Sequence, residues 1–379
     1  MKPWKRIGFL SLLLVVMANP ILAAGGQDLD TSYLDFSGAD VLLTEDGNNF
    51  LQEQTGKQTL TELLEAVLRG EETFTFSGFI KAFGASLGGN IQAFLSLILQ
   101  VAALALLSQF FYALDIHWEN GSAANAGFLA LYGILVLVLM KSFQIAYEET
   151  RLLISRIQTL SLYMMPAMAA VTVAGGRALS GIFQHEMMTA GFALILTALK
   201  NIFAAAVLWV TVIETVNLIS RRAVLSQLSG LTRTLIEKGM KLLTALYLLW
   251  MGLSSLVAPA ADKVVYKASS AVLSSVPVVG SAMAGAMDSV LAGSMMVKNG
   301  IGAAGCIALL CLCLWPAAKL AAIWLIYRLL AAFLSPVADE RIIKLLTAMG
   351  RSAAQLLAII VCGVVVFTGA VGIFIMSTS

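Results

Sequence analysis

The chain has 379 residues, of which 59% are hydrophobic and only 12% charged, with a mean hydropathy of +0.88. Soluble domains carry about a quarter charged residues, so this composition excludes an ordinary soluble protein and predicts an all-α polytopic membrane protein. The formal net charge is +2, with most basic residues in short loops between apolar runs, which is unlike a nucleic-acid footprint and excludes that partner class.

Residues 1–24 open with Lys2, Lys5 and Arg6, followed by an apolar core from Ile7 to Ala18 and small residues that suit cleavage near Ala24. This is the pattern of a secretory signal peptide, with an uncleaved anchor as the alternative. Either way, residues 25–90 are expected outside the cytoplasm. They form an acidic segment in which Lys57, Arg69 and Lys81 are the only basic residues. Within it Leu60, Leu63, Leu64, Val67 and Leu68 follow helical spacing, with Thr59 and Glu62 placed as a capping box and Gly70 as the stop. Phe76, Phe79, Ile80, Phe83 and Leu87 repeat the pattern up to Gly88, Gly89 and Asn90. Two short amphipathic helices bury little by themselves, so they must pack on a partner, the lipid bilayer or the rest of the chain.

Residues 91–379 are expected to form a multi-span transmembrane domain. Apolar runs at 91–113, 126–146, 159–175, 187–213, 242–261, 301–333 and 353–376 predict six to seven transmembrane helices. Two basic stretches should be cytoplasmic under the positive-inside rule. One carries Arg221, Arg222, Arg233, Lys238 and Lys241, and the other Arg341, Lys344 and Arg351. Both fall inside only if one earlier run fails to cross. Run 159–175 is the shortest and contains Pro166, so a broken or re-entrant segment is predicted there. The same order of span, broken segment, long span and basic helix then recurs, suggesting a repeat of 126–241 in 242–352. The basic stretch 221–241 has an apolar face of Val224, Leu225, Leu228, Leu231, Leu235 and Ile236. It reads as a helix lying on the membrane surface or docking a cytoplasmic partner.

The stretch from Ser275 to Leu330 organises this plan. Pro277, Gly280, Gly285 and Gly293 interrupt its first half, and irregular backbone at membrane depth survives only against protein or a water-filled cavity. Pore lining or close helix packing are the two expectations, and small residues at Gly280 and Ala284 also allow a homo-oligomer. Intramembrane ionisable groups are by default functional candidates. Lys200 with Asn201, Asp288, Asn299 and Lys319 are therefore candidate pore-lining or intramembrane polar residues. For Lys200 a structural pairing, for instance with Glu214 of another subunit, is the alternative. Lys141, Glu214 and Arg328 lie near run ends, where snorkelling accounts for them. Cys306, Cys311, Cys313 and Cys362 all sit in apolar runs, so neither a disulfide framework nor a metal site is expected. No cofactor motif and no catalytic motif occurs, and no enzymatic activity is expected.

The strings AGGRALSGIF, VKNGIG and SPVADERI, in this order behind a signal peptide and an acidic outside segment, resemble the stage III sporulation protein AE family of endospore-forming bacteria. The resemblance covers the chain from about residue 60 onward and transfers no catalytic residue. It implies a multi-pass protein of the mother-cell membrane around the forespore. It also implies partners, namely the other proteins of the same sporulation operon and stage II sporulation protein Q on the forespore side. The implied role is that of a non-enzymatic subunit in a channel or secretion-like complex supporting forespore development. A permease-like secondary transporter of a small solute, working through Lys200, Asp288 or Lys319, is the alternative.

Overall fold

The computed structural model describes residues 48, 49, 51, 52, 56, 59–69, 76–115, 122–219, 226–274 and 280–377. The signal-peptide segment with Ala24, most of the acidic segment, and Arg221 and Arg222 lie outside the described residues. Among the described residues the regular structure is entirely helical, as the composition predicts.

Helix α1 (Leu60–Leu68) starts where the capping box places it, with the Thr59 hydroxyl accepting from the Glu62 amide at 3.1 Å. Its Leu63, Ala66 and Val67 are buried. Helix α2 (Phe76–Ala93) runs through Gly88 and Gly89 and bends by 46° at Phe94 into α3 (Leu95–Asp115). Both α1 and α2 pack on α8 (Gly280–Leu334), so the rest of the chain is what covers their apolar faces.

The bundle proper consists of α4 (Ser122–Ala174), α5 (Ala178–Thr197), α6 (Ala204–Ile219), α7 (Ser226–Ser274), α8 and α9 (Glu340–Ser377). A single π-helical stretch, Ala198–Phe203, joins α5 to α6. Helices α4 and α8 run antiparallel in constant register. Ser142 is hydrogen-bonded to Tyr327, Glu149 meets Lys319, and Cβ atoms added to Gly305 and Gly175 would strike Met164 and Ser294. The α5–α6 rod is antiparallel to α7, since Ser180 meets Asp262, Gly191 lies on Tyr247, and Glu214 meets Arg233. Helix α9 runs parallel to α7, with Gly369 on Leu248 and Gln355 on Arg233, and antiparallel to α8, with Gly302 on Ile375. The α6–α7 link and the α8–α9 turn therefore share one end of the bundle with the start of α4. The α4–α5 turn and the end of α9 share the other.

Two sequence expectations are corrected here. Runs 126–146 and 159–175 are one continuous 53-residue helix, α4, and residues 280–297 belong to the 55-residue α8. The charged stretch Glu148–Arg156 does not break α4, because a helix tolerates charge where a neighbour compensates it, as Lys319 does for Glu149. Pro166 sits on the exposed face of α4, where its ring displaces no neighbouring helix. Among the described residues four helices are long and apolar enough to cross a membrane when the α5–α6 rod is taken as one, and five when the bent α2–α3 pair counts as one span. The lower number follows from the fusion of runs into α4. Helix α7 carries its charge-free run 242–261 beside them.

Candidate functional site

A 53-residue helix is about 80 Å long, roughly twice the thickness of a bilayer with its headgroups. The positions of charges show which part matches hydrocarbon. Charged residues lie 21 positions apart on three helices: Arg156 and Arg177 at the ends of the α4 run, Lys241 and Asp262 on α7, and Lys298 and Lys319 on α8. Nothing charged lies between the members of each pair. That spacing corresponds to about 31 Å of helix and a hydrocarbon core of about 30 Å. Among the described residues the exposed apolar side chains in this slab include Leu162 on α4, Leu194 on α5, and Leu242, Leu246, Leu249 and Leu253 on α7, while Glu186 on α5, beside His185, is an exposed charge within it.

Each rim of the slab is tied across helices. At the outer rim the Asp262 carboxylate accepts from the Leu179 and Ser180 amides at 3.2 and 2.9 Å. Helix α5 has no side-chain cap of its own at Arg177, so an acid from α7 serves its positive end. On the same side Lys298 is buried, with Nζ donating to the Ile375 carbonyl at 3.2 Å and lying 5.7 Å from the centre of the Phe374 ring. It thereby serves the last turn of α9, the negative end of a helix. At the inner rim Lys200, in the π-helical stretch, donates to the Ser155 hydroxyl at 3.1 Å, and Lys319 pairs with Glu149.

Beyond the inner rim lies a buried polar network. Arg233 Nε and Nη2 donate to the two carboxylate oxygens of Glu214 at 2.6 and 2.5 Å. Its Nη1 donates to Gln355 Oε1 at 2.8 Å, and Nη2 also reaches Ser352 Oγ at 2.9 Å. The Ser352 hydroxyl in turn accepts from Thr211 at 2.6 Å. One guanidinium thus joins α6, α7 and α9. Such a bidentate pair is shared over two parallel hydrogen bonds, which holds orientation as well as charge.

Of the residues singled out in the sequence, Lys200 and Lys319 fall at the inner rim as inter-helix contacts, and Asn201 is exposed beside Lys200. Asn299 is half-buried next to Lys298, with a buried Oδ1 that has no hydrogen-bond partner. Asp288 falls on the backbone of α8 before the slab, its side chain outside the described atoms. Lys238 and Lys241 are exposed on α7. Arg233 is not a surface cation of this helix, and Glu214 does not snorkel, because each buries the charge of the other. Sequence reasoning missed Asp262 and Lys298. The available signal was their common 21-residue distance from Lys241 and Lys319. Among the described residues no group of three His, Cys, Asp or Glu side chains could hold a metal.

Alternating long helices, a slab of bilayer thickness free of charge on α4, α7 and α8, and helix ends satisfied across the bundle define a polytopic helical membrane protein. The sequence model of the stage III sporulation protein AE family matches residues 58–378, and the chain belongs to that family. The chain is similar to the stage III sporulation protein AE of Bacillus subtilis strain 168, at 22% identity over 323 residues, covering 84% of this chain and 78% of that protein. No solved structure matches.

Proposed function

We propose that the chain is a non-enzymatic integral membrane subunit of a channel or secretion-like complex linking mother cell and forespore, which supports forespore development. The observation that carries this reading, beyond the sporulation family itself, is an apolar exterior too long for one bilayer. Past the inner rim, Leu129 and Leu137 on α4, Trp209 on α6 and Phe333 on α8 are exposed, Trp209 by 67% and Phe333 by 75%. Lipid covers about 30 Å of hydrocarbon, and a remaining apolar surface of this extent calls for protein neighbours.

In this proposal the end with Arg233, Lys238, Lys241, Arg341, Lys344 and Arg351 faces the mother-cell cytoplasm under the positive-inside rule. Residues 25–90 then lie between the two membranes, where stage II sporulation protein Q of the forespore and the other products of the operon can reach them. The permease-like alternative would use Lys200, Asp288 or Lys319 as mobile charges. The hydroxyl of Ser155 and the carboxylate of Glu149 engage the two lysines, and the subunit reading is the one we carry forward.

The test uses an endospore-forming bacterium in which this chain, with a fluorescent C-terminal tag, replaces the resident family member. Enrichment at the forespore membrane, co-purification of the operon proteins and arrest of forespore development on deletion are expected. An even distribution over the cell membrane, with spores formed normally after deletion, sinks the proposal.

A further inference from the structure

A cleft of about 280 Å³ opens between α7, α8 and α9 just beyond the inner rim. Arg233, Glu237, Lys241, Arg328, Arg351 and Gln355 contribute its polar lining. The charge of Arg233 is taken up by Glu214. Lys241, Arg328 and Arg351 remain, opposed only by Glu237. Among the described residues none of these three cations forms an ion pair, and all three side chains are exposed at the cleft. Three cations from three helices converge here against one acid, which leaves an excess of two positive charges.

The second observation comes from Gln355. It is 5% exposed, its Oε1 is occupied by Arg233, and its Nε2 is buried without a hydrogen-bond partner. A buried amide donor left unpaired is unfavourable, and an acceptor entering the cleft beside the guanidinium groups would relieve it. The site therefore offers two guanidinium forks, an ammonium and an amide N–H, a donor set suited to the oxygens of a phosphate. We propose that this cleft binds a phosphate group carrying one or two negative charges.

Size and position narrow the ligand. The volume lies at the lower end of the roughly 300–1,000 Å³ of sites that enclose a drug-sized molecule, so the cleft suits a phosphate with a glycerol-sized substituent, the rest of a larger ligand extending out of it. Lys241 marks the edge of the slab, and Ala358 and Cys362 carry the cleft toward it. An anionic phospholipid bound with its phosphate here would run its chains past Ala358 and Cys362 of α9 into the slab. Basic pockets between transmembrane helices on the positively charged side take lipid head groups in this way. A free phosphate has the same chemistry without the chains.

The experiment follows the thermal unfolding of the full chain in a neutral detergent by tryptophan fluorescence. Mixed micelles of phosphatidylglycerol, of phosphatidylcholine, or sodium phosphate alone are titrated at constant ionic strength. Phosphatidylglycerol should raise the transition saturably. The double variant Arg328→Gln, Arg351→Gln should need about tenfold or more lipid for the same shift, as expected for loss of charge-assisted bonds. The two arginines are exposed, so the variant should fold, and Lys241→Gln is a second, single-site check in the same direction. Lys344→Gln, removing a surface cation paired with Glu340, should leave the titration unchanged. A saturable shift with sodium phosphate alone identifies free phosphate as the source and keeps the site. An equal shift with phosphatidylcholine, an unaltered double variant, or an equal loss in Lys344→Gln overturns it.

Discussion

Arg233 on α7 and Glu214 on α6 form a bidentate ion pair inside the bundle, and the same guanidinium reaches Gln355 and Ser352 on α9. Removing one member of such a pair strands the other charge away from water, which costs about 3–5 kcal/mol, whereas apolar replacement of both is often close to neutral. Glu214→Leu and Arg233→Met singly should therefore lower the unfolding temperature strongly, and the double variant should regain most of the loss. Thermal unfolding in detergent measures this. Additive losses in the double variant would show that the two residues do not act as a pair.

The two glycines Gly133 and Gly191 should respond oppositely to alanine. Nothing lies within 4 Å of a Cβ built at Gly133, whereas at Gly191 it would lie 2.5 Å from a ring carbon of Tyr247 and 3.2 Å from Trp250. Gly133→Ala should stabilise the helix by up to about 1 kcal/mol. Gly191→Ala should destabilise by about 1–3 kcal/mol, because two packed aromatic rings must shift. Paired unfolding curves decide the matter, and a stabilised Gly191→Ala would mean that α5 and α7 are farther apart than described.

The constant register of α4 against α8 is open to cross-linking. A Cβ at Gly175 would come within 2.7 Å of Ser294 Cβ, so cysteines at these two positions are in reach of a disulfide after a small outward shift. In a background lacking Cys306, Cys311, Cys313 and Cys362, the Gly175→Cys, Ser294→Cys protein should form an intramolecular cross-link on mild oxidation, visible as a reduction-sensitive mobility change. Gly176→Cys with Ser294→Cys should react more slowly, because Gly176 is exposed and faces away. Equal yields from the two pairs would contradict the register.

The apolar slab predicts two chemically distinct faces. Lys238 and Lys344 lie on exposed surface at one end, and Ala178 on exposed surface at the other. Cysteines placed at Lys238 and Lys344 should react with an impermeant thiol reagent from the same side of sealed vesicles, and a cysteine at Ala178 from the opposite side. Labelling of all three from one side would remove the slab from the membrane.

The N-terminal helices were the most legible part of the folded chain. Thr59, Glu62 and the spacing of Leu63 and Val67 are local signals, and α1 begins and buries its face as they dictate. The same local logic failed at Pro166, Gly285 and Gly293. A helix breaker costs only a few kcal/mol, and the packing of a whole bundle face outweighs it. Arg233 was read as one of several cations on an amphipathic surface, since periodicity records how polar a residue is and not which residue 19 positions earlier can share its charge.

Composition by itself determined that this protein is helical and lies in a membrane, because an apolar chain must satisfy its backbone hydrogen bonds within each segment. The short strings around Gly176, Asn299 and Pro336 also carried the family. Tertiary structure alone decided which charges meet. Asp262 caps α5, Lys298 serves α9, and Lys241, Arg328 and Arg351 surround one cleft. These groupings join residues up to 110 positions apart, and only the alternating direction of the helices brings them to a common level.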